Sequence, residues 1–150
     1  MTTHDRAIIL NDLANSYALE LRYTKAIERY KEALSLYIYL AEKQPVAYGL
    51  AIAHVFSNMS MIYFNLKRKE ESDALHQNAL KMHRVLTKYN PNKYGIELAQ
   101  CIVDGVLYLK QHPFTLYEAE IVVNQISTSS NDREDLVNAI RKLHESSLAL

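Results

Sequence analysis

Pro45-Val46-Ala47-Tyr48-Gly49-Leu50-Ala51-Ile52-Ala53 returns 46 residues later as Pro91-Asn92-Lys93-Tyr94-Gly95-Ile96-Glu97-Leu98-Ala99. The proline, tyrosine, glycine and final alanine are identical, and Leu50 and Ile52 exchange for Ile96 and Leu98. Ala7 stands at the same spacing before Ala53, but without the Pro-x-x-Tyr-Gly ahead of it. A period of this length within a helical pattern is the signature of stacked helix hairpins. Such solenoids seldom do chemistry; they present a groove to a partner.

Composition supports few, long helices. The chain has 150 residues, enough for one domain with its own core. It holds only three Gly and three Pro, too few for many turns or strands. Seventeen basic and seventeen acidic residues cancel. No clustered positive field would recruit nucleic acid or an anionic membrane. Lys67-Arg68-Lys69 is followed at once by Glu70-Glu71, which reads as a solvated turn. Cys101, the one cysteine, lies in an apolar run and reads as a small buried hydrophobe. It allows no intrachain disulfide and fits a reducing compartment. The N-terminus has no signal-peptide layout, and no uninterrupted 18-residue apolar run exists. A cytoplasmic location without a membrane span is therefore expected.

The spacing predicts seven helices. The first follows Thr3 as N-cap and runs to about Leu21, with Ile8, Leu10, Leu13, Ala14 and Tyr17 apolar. Thr24 caps the second, whose stripe is Ala26, Tyr30, Ala33 and Tyr37; Gln44-Pro45 ends it. The third covers about Val46 to Leu66, the fourth about Glu70 to Tyr89 and the fifth about Asn92 to Lys110. Thr115-x-x-Glu118 reads as a capping box opening the sixth at Leu116. Asn131-x-x-Glu134 reads as a second capping signal, opening a closing helix with Leu136, Ile140 and Leu143 on one face. These elements form a single domain over 1–150, with repeats at about 4–44, 46–90 and 92–127 and a capping helix at 131–149.

Leu10, Leu13-Ala14 and Tyr17, followed by Ala26, Tyr30 and Ala33, resemble the tetratricopeptide repeat. Short side chains allow the two helices to approach, and the aromatics fill the space between pairs. Ile38 stands where that motif usually closes on proline. The second copy reads Phe56, Met59-Ser60, Tyr63, Ser72, His76 and Ala79. The third is degenerate. An unshifted register places Ile102, Gly105-Val106 and Leu109 in the first-helix slots; a one-residue shift would place Gly105 and Tyr108 there instead. The unshifted choice aligns Asp12, Asn58 and Asp104. Ala119, Val123 and Ile126 then supply the second helix if the turn before them is one residue longer. The usual unit is about 34 residues. The longer unit resembles the kinesin-light-chain type, also common in bacterial proteins. The resemblance implies an all-α, right-handed superhelical solenoid of three long hairpins plus a capping helix.

The six histidines raise a metal hypothesis. His76 and His83 are seven residues apart, about 10 Å along a helix, too far to share one ion directly. They stand one period after Tyr30 and Tyr37, so they fill aromatic packing slots; acid would then loosen the second repeat. No phosphate loop, His-Glu-x-x-His, Cys-x-x-Cys or nucleophile elbow is present. No enzyme activity, cofactor or metal is expected.

In the family the first helix of each pair lines the concave face. Carried over, the groove comprises Asn11, Asn15, Ala18 and Leu19, then Ser57, Met61, Phe64 and Asn65, then Val103, Leu107 and Lys110, with His54 and Asn58 on the same wall. Asn11 and Asn15 suit the backbone of an extended peptide, and Met61 and Phe64 an apolar side chain. The carboxylate clamp of chaperone-binding relatives is not supported, because Asn11, Met61, Val103 and Leu107 replace its charged and amide positions. The leading expectation is a non-enzymatic module for protein–protein interaction. The rivals are a peptide-sensing fragment of a larger signalling protein and a secretion-type chaperone. A homodimer through the uncapped N-terminal repeat is a further expectation.

Overall fold

The computed structural model describes residues 1–148. Among these, the helices are α1 (Thr3–Leu19), α2 (Tyr23–Ala41), α3 (Pro45–Asn65), α4 (Lys69–Tyr89), α5 (Pro91–Tyr108), α6 (Leu116–Gln125) and α7 (Asn131–Leu148). A short 3-10 turn, Pro113–Thr115, precedes α6, and no strand occurs among the described residues. The expected end of the last helix at residue 149 lies outside them. The protein is all-α, with helices packed on their neighbours in sequence, as in a tetratricopeptide-like solenoid.

The chain divides into two compact units, the second beginning at His83. In the first, α2 packs against both α1 and α3. Ala26, Tyr30, Ala33 and Tyr37 are all buried, together with Ala7 and Ala14 of α1. Alanines on both helices remove the side-chain bulk that would hold them apart. Tyr48, at the copied entrance, packs against Tyr37 at 6.3 Å and edge-on to His4 at 5.7 Å. Ser60 and Ser72 play the alanine role between α3 and α4. Both are fully buried, and Ser72 Oγ donates to Ser60 O at 2.8 Å. His76 and His83 are 3% and 2% exposed, in keeping with packing slots. By length and composition α3 would suffice to cross a membrane. Yet Ile52, Val55, Met59, Ile62 and Tyr63 are buried in the first unit's core, as in a core helix.

In the second unit α5, α6 and α7 pack on one another. Leu109 is 3% exposed while Tyr108 is 56% exposed, and Ile102 and Gly105 are buried. The unshifted register is therefore the one realised. Ala119, Val123 and Ile126 are buried, whereas Gln125 is exposed. The 3-10 turn supplies the extra residue that this spacing requires. Gly95 permits close packing here. A Cβ on it would meet Ile126 Cδ1 at 3.1 Å and Val122 Cγ1 at 3.3 Å.

The caps of four helices differ from expectation. Thr2, not Thr3, caps α1, because Asp5 lies three residues on and closes a reciprocal capping box. Thr2 Oγ1 accepts from Asp5 N at 3.0 Å, and Asp5 Oδ2 accepts from Thr2 N at 3.0 Å. The Thr2 hydroxyl also donates to Asp5 Oδ2 at 2.7 Å, and this bond, with that from the Thr2 N–H, holds the Asp5 carboxyl below its usual range. Thr24 falls inside α2, which starts at Tyr23 with no side-chain cap. Thr115 already has helical dihedrals within the 3-10 turn, so its hydroxyl donates back to His112 O and the capping box with Glu118 does not form. Glu118 pairs instead with Arg84 at 3.0 Å. Ser130 takes the capping role expected of Asn131, its Oγ accepting from Arg133 N at 3.2 Å.

The turns after α1 and α3 are copies of each other. Leu21 and Lys67, 46 residues apart, adopt φ of 60° and 62°. Leu21 N donates to Ala18 O and Arg22 N to Tyr17 O; Lys67 N donates to Phe64 O and Arg68 N to Tyr63 O. This pair of bonds is the Schellman ending, which satisfies carbonyls left over at a helix C-terminus. Each following arginine then lies over a ring, Arg22 on Tyr17 at 4.8 Å and Arg68 on Tyr63 at 4.7 Å.

Candidate functional site

Within the first unit a cavity of about 490 Å³ is lined by Asn15, Ala18, Leu19, Leu21, Tyr23, Tyr30, Asn58, Met61, Ile62 and Asn65. The helical spacing of α1 aligns Asn15, Ala18 and Leu19 on one stripe, and that of α3 aligns Asn58, Met61, Ile62 and Asn65. The Schellman turn adds Leu21.

At the centre, Asn15 Oδ1 accepts from Tyr30 OH at 2.6 Å and from Asn58 Nδ2 at 3.3 Å. Burial pushes the Tyr30 phenol up to about 12, with Asn58 pulling weakly the other way. Tyr30 therefore remains a neutral donor that holds Asn15 in place. The bonding leaves the Asn15 amide nitrogen and the Asn58 amide oxygen, one donor and one acceptor, for a ligand. At the far end Asn65 Nδ2 donates to Tyr23 OH at 3.2 Å. No lysine, arginine, histidine, aspartate or glutamate lines the cavity. Its chemistry is amide, phenol and aliphatic.

The cavity gathers Asn15, Ala18, Leu19, Asn58, Met61 and Asn65 from the expected groove. Asn11, His54, Ser57 and Phe64 lie outside its lining. In the second unit Val103 is 2% exposed and offers no binding surface, a correction that follows from its place on the apolar side of α5. Leu107 is exposed on the same helix. Sequence reasoning missed Tyr23, Tyr30, Leu21 and Ile62. Packing alone does not account for Tyr30, whose hydroxyl, one end of an otherwise apolar ring, needs a partner once buried.

Asp104, one period after Asn58, is half-buried, and its carboxyl is raised by burial although Gln100 Nε2 donates to it at 2.8 Å. Among the described residues no three His, Cys, Asp or Glu side chains converge in a way that could hold a metal ion.

Residues 52–88 match a family model of the tetratricopeptide repeat. The match spans most of α3 and nearly all of α4, the middle copy of the period read from the sequence. It supports a tetratricopeptide repeat protein, a class whose repeats generally mediate protein–protein interaction and which is typically non-enzymatic. No curated protein sequence matches the chain.

Proposed function

We propose that the first unit binds an extended segment of a protein partner in the α1–α3 cavity, with the asparagines engaging its backbone and Leu19, Leu21 and Met61 receiving an uncharged, apolar side chain. The observation that carries this reading is a cavity lined by three asparagines and no formal charge. A peptide backbone offers alternating donors and acceptors, and asparagine side chains match both. A bare carboxylate would find no cation there. The unit lengths favour the long-repeat, kinesin-light-chain-like form, since α3 and α4 each have 21 residues.

The test is selection from a randomised peptide library displayed on phage, followed by competition with the Met61→Lys variant. Enrichment of segments with an uncharged apolar centre, lost in Met61→Lys, supports the proposal. Enrichment of acidic C-termini, or peptides retained by Met61→Lys, contradicts it.

A further inference from the structure

In the second unit a cavity of about 490 Å³ is lined by His112, Pro113, Phe114, Tyr117, Glu120, His144, Ser147 and Leu148. It shares no residue with the α1–α3 cavity. Its chemistry is also different. Three rings stand in succession, Phe114 to Tyr117 at 5.6 Å and 61°, and Tyr117 to His144 at 4.9 Å and 48°. Phe114 and Tyr117 are 71% and 54% exposed, more than packing alone requires of two aromatics. Glu120 follows Tyr117 by one helical turn on α6. Its carboxylate lies 3.6 Å from His144 Nε2, beyond a hydrogen bond.

No lysine or arginine lines this cavity. Of the cations on α7, Arg133 donates to Val123 O and pairs with Glu134, and Arg141 bonds Asn138. Ser147 spends its proton on Leu143 O, which leaves its oxygen as an acceptor. The wall therefore combines ring faces, which are negative, with one carboxylate and hydroxyl lone pairs. An anion would meet no donor of opposite charge. An organic cation would meet complementary charge and π faces together.

We propose that this cavity binds a small quaternary ammonium compound, its methyl groups against Phe114 and Tyr117 and its charge beside Glu120. The volume lies within the range of small-molecule sites. A quaternary nitrogen has no proton to donate, so the missing hydrogen bond to Glu120 is no obstacle, and the rings supply the contact that water cannot.

Choline is the probe, and dimethylbutanol, its uncharged carbon isostere of the same shape, is the control. Titration is followed through the ring resonances of Phe114, Tyr117 and His144. Choline should shift them saturably, and the isostere should bind more weakly. Tyr117→Leu and Glu120→Gln should each weaken choline about two- to fivefold. Both side chains are exposed enough for the variants to fold, which unchanged helical circular dichroism verifies. Equal affinity for choline and the isostere, or no saturable shift up to the solubility limit, would overturn the proposal. Unaltered choline binding in both folded variants would overturn it as well.

Discussion

The hairpins α1–α2 and α5–α6 are built on one repeat pattern and have different interiors. In the first, the aromatic slot of the second helix holds Tyr30, whose hydroxyl reaches Asn15 at 2.6 Å. In the second, the same slot holds Val123, which is buried but has nothing polar to offer. The first-helix position of Asn15 corresponds to Leu107, and that of Asn58 to Asp104. Packing survives these exchanges because it needs only size and spacing. The amide cluster does not survive, because it needs a donor and an acceptor in register. Fold and groove chemistry are therefore separable in this chain.

Tyr30→Ala attacks the point where the two functions meet. It removes a buried ring and the hydrogen bond that positions Asn15, and should cost about 3–5 kcal/mol in denaturant unfolding. Val123→Ala, which deletes far fewer atoms, should cost clearly less. Equal losses would mean that the ring and its hydrogen bond together add nothing beyond what two buried methyl groups supply.

Alkaline pH probes the same difference without deleting the ring. The Tyr30 phenol lies at about 12 when folded, against 10.0 for an unburied tyrosine. Its folded value is raised, so its contribution is complete below pH 10 and is lost as pH climbs from 10 to 12, where the unfolded chain ionises first. The loss should approach about 2–3 kcal/mol. Burial raises Tyr37 as well, with Asp12 and Tyr48 adding to the shift, so part of the alkaline loss belongs there. Tyr30→Phe should flatten the profile over this window. An unchanged slope in Tyr30→Phe would remove the phenol from the account.

Asp104→Asn restores to the second unit the amide that the first has at Asn58. Burial raises this carboxyl, so its charged form is disfavoured in the folded state near neutral pH. Asparagine can still accept from Gln100, and the exchange should stabilise by a few tenths to about 1 kcal/mol. The gain should vanish in acid, where Asp104 is protonated. Thermal melts at both pH values would reveal a gain that does not vary with pH and so has another cause.

The smallest effect concerns the copied turns. Leu21 and Lys67 have left-handed backbones, which suit glycine better than a side-chain-bearing residue. Lys67→Gly should raise stability by a few tenths of a kcal/mol, offset partly by the greater freedom of glycine when unfolded. Leu21→Gly should gain less, because Leu21 also lines the cavity. A melting temperature lowered by Lys67→Gly would contradict the strain assignment.

Helix number, order and approximate ends were legible in the sequence, because small and aromatic residues recurred at a fixed period. The alignment of Asp12, Asn58 and Asp104 without an indel pointed to the third-repeat register, and the buried Leu109 beside the exposed Tyr108 agrees with it. Caps were harder to place. Thr2, Ser130 and Thr115 were decided by whether the neighbouring residue was already helical, which residue type does not specify. The groove was legible only in part. Family positions led to Asn15, Asn58, Met61 and Asn65, but Tyr30 reaches the same cavity from the second helix across the hairpin. Val103 was misplaced for the converse reason, because α5 turns that position inward. Phe114, Tyr117 and His144 meet only because the 3-10 turn and α7 bring distant stretches together, and no local spacing announces that.

The central claim is that the amides of the first unit read a peptide backbone. Its most direct measurement is the affinity of one library-selected peptide, by calorimetry, for the wild type and for the Asn58→Ala/Asn65→Ala double variant. Asn15 is left intact there, so the Tyr30 hydroxyl keeps its partner. Loss of two hydrogen bonds should weaken binding about tenfold, with an unchanged melting temperature. Wild-type affinity in the folded double variant would contradict the claim.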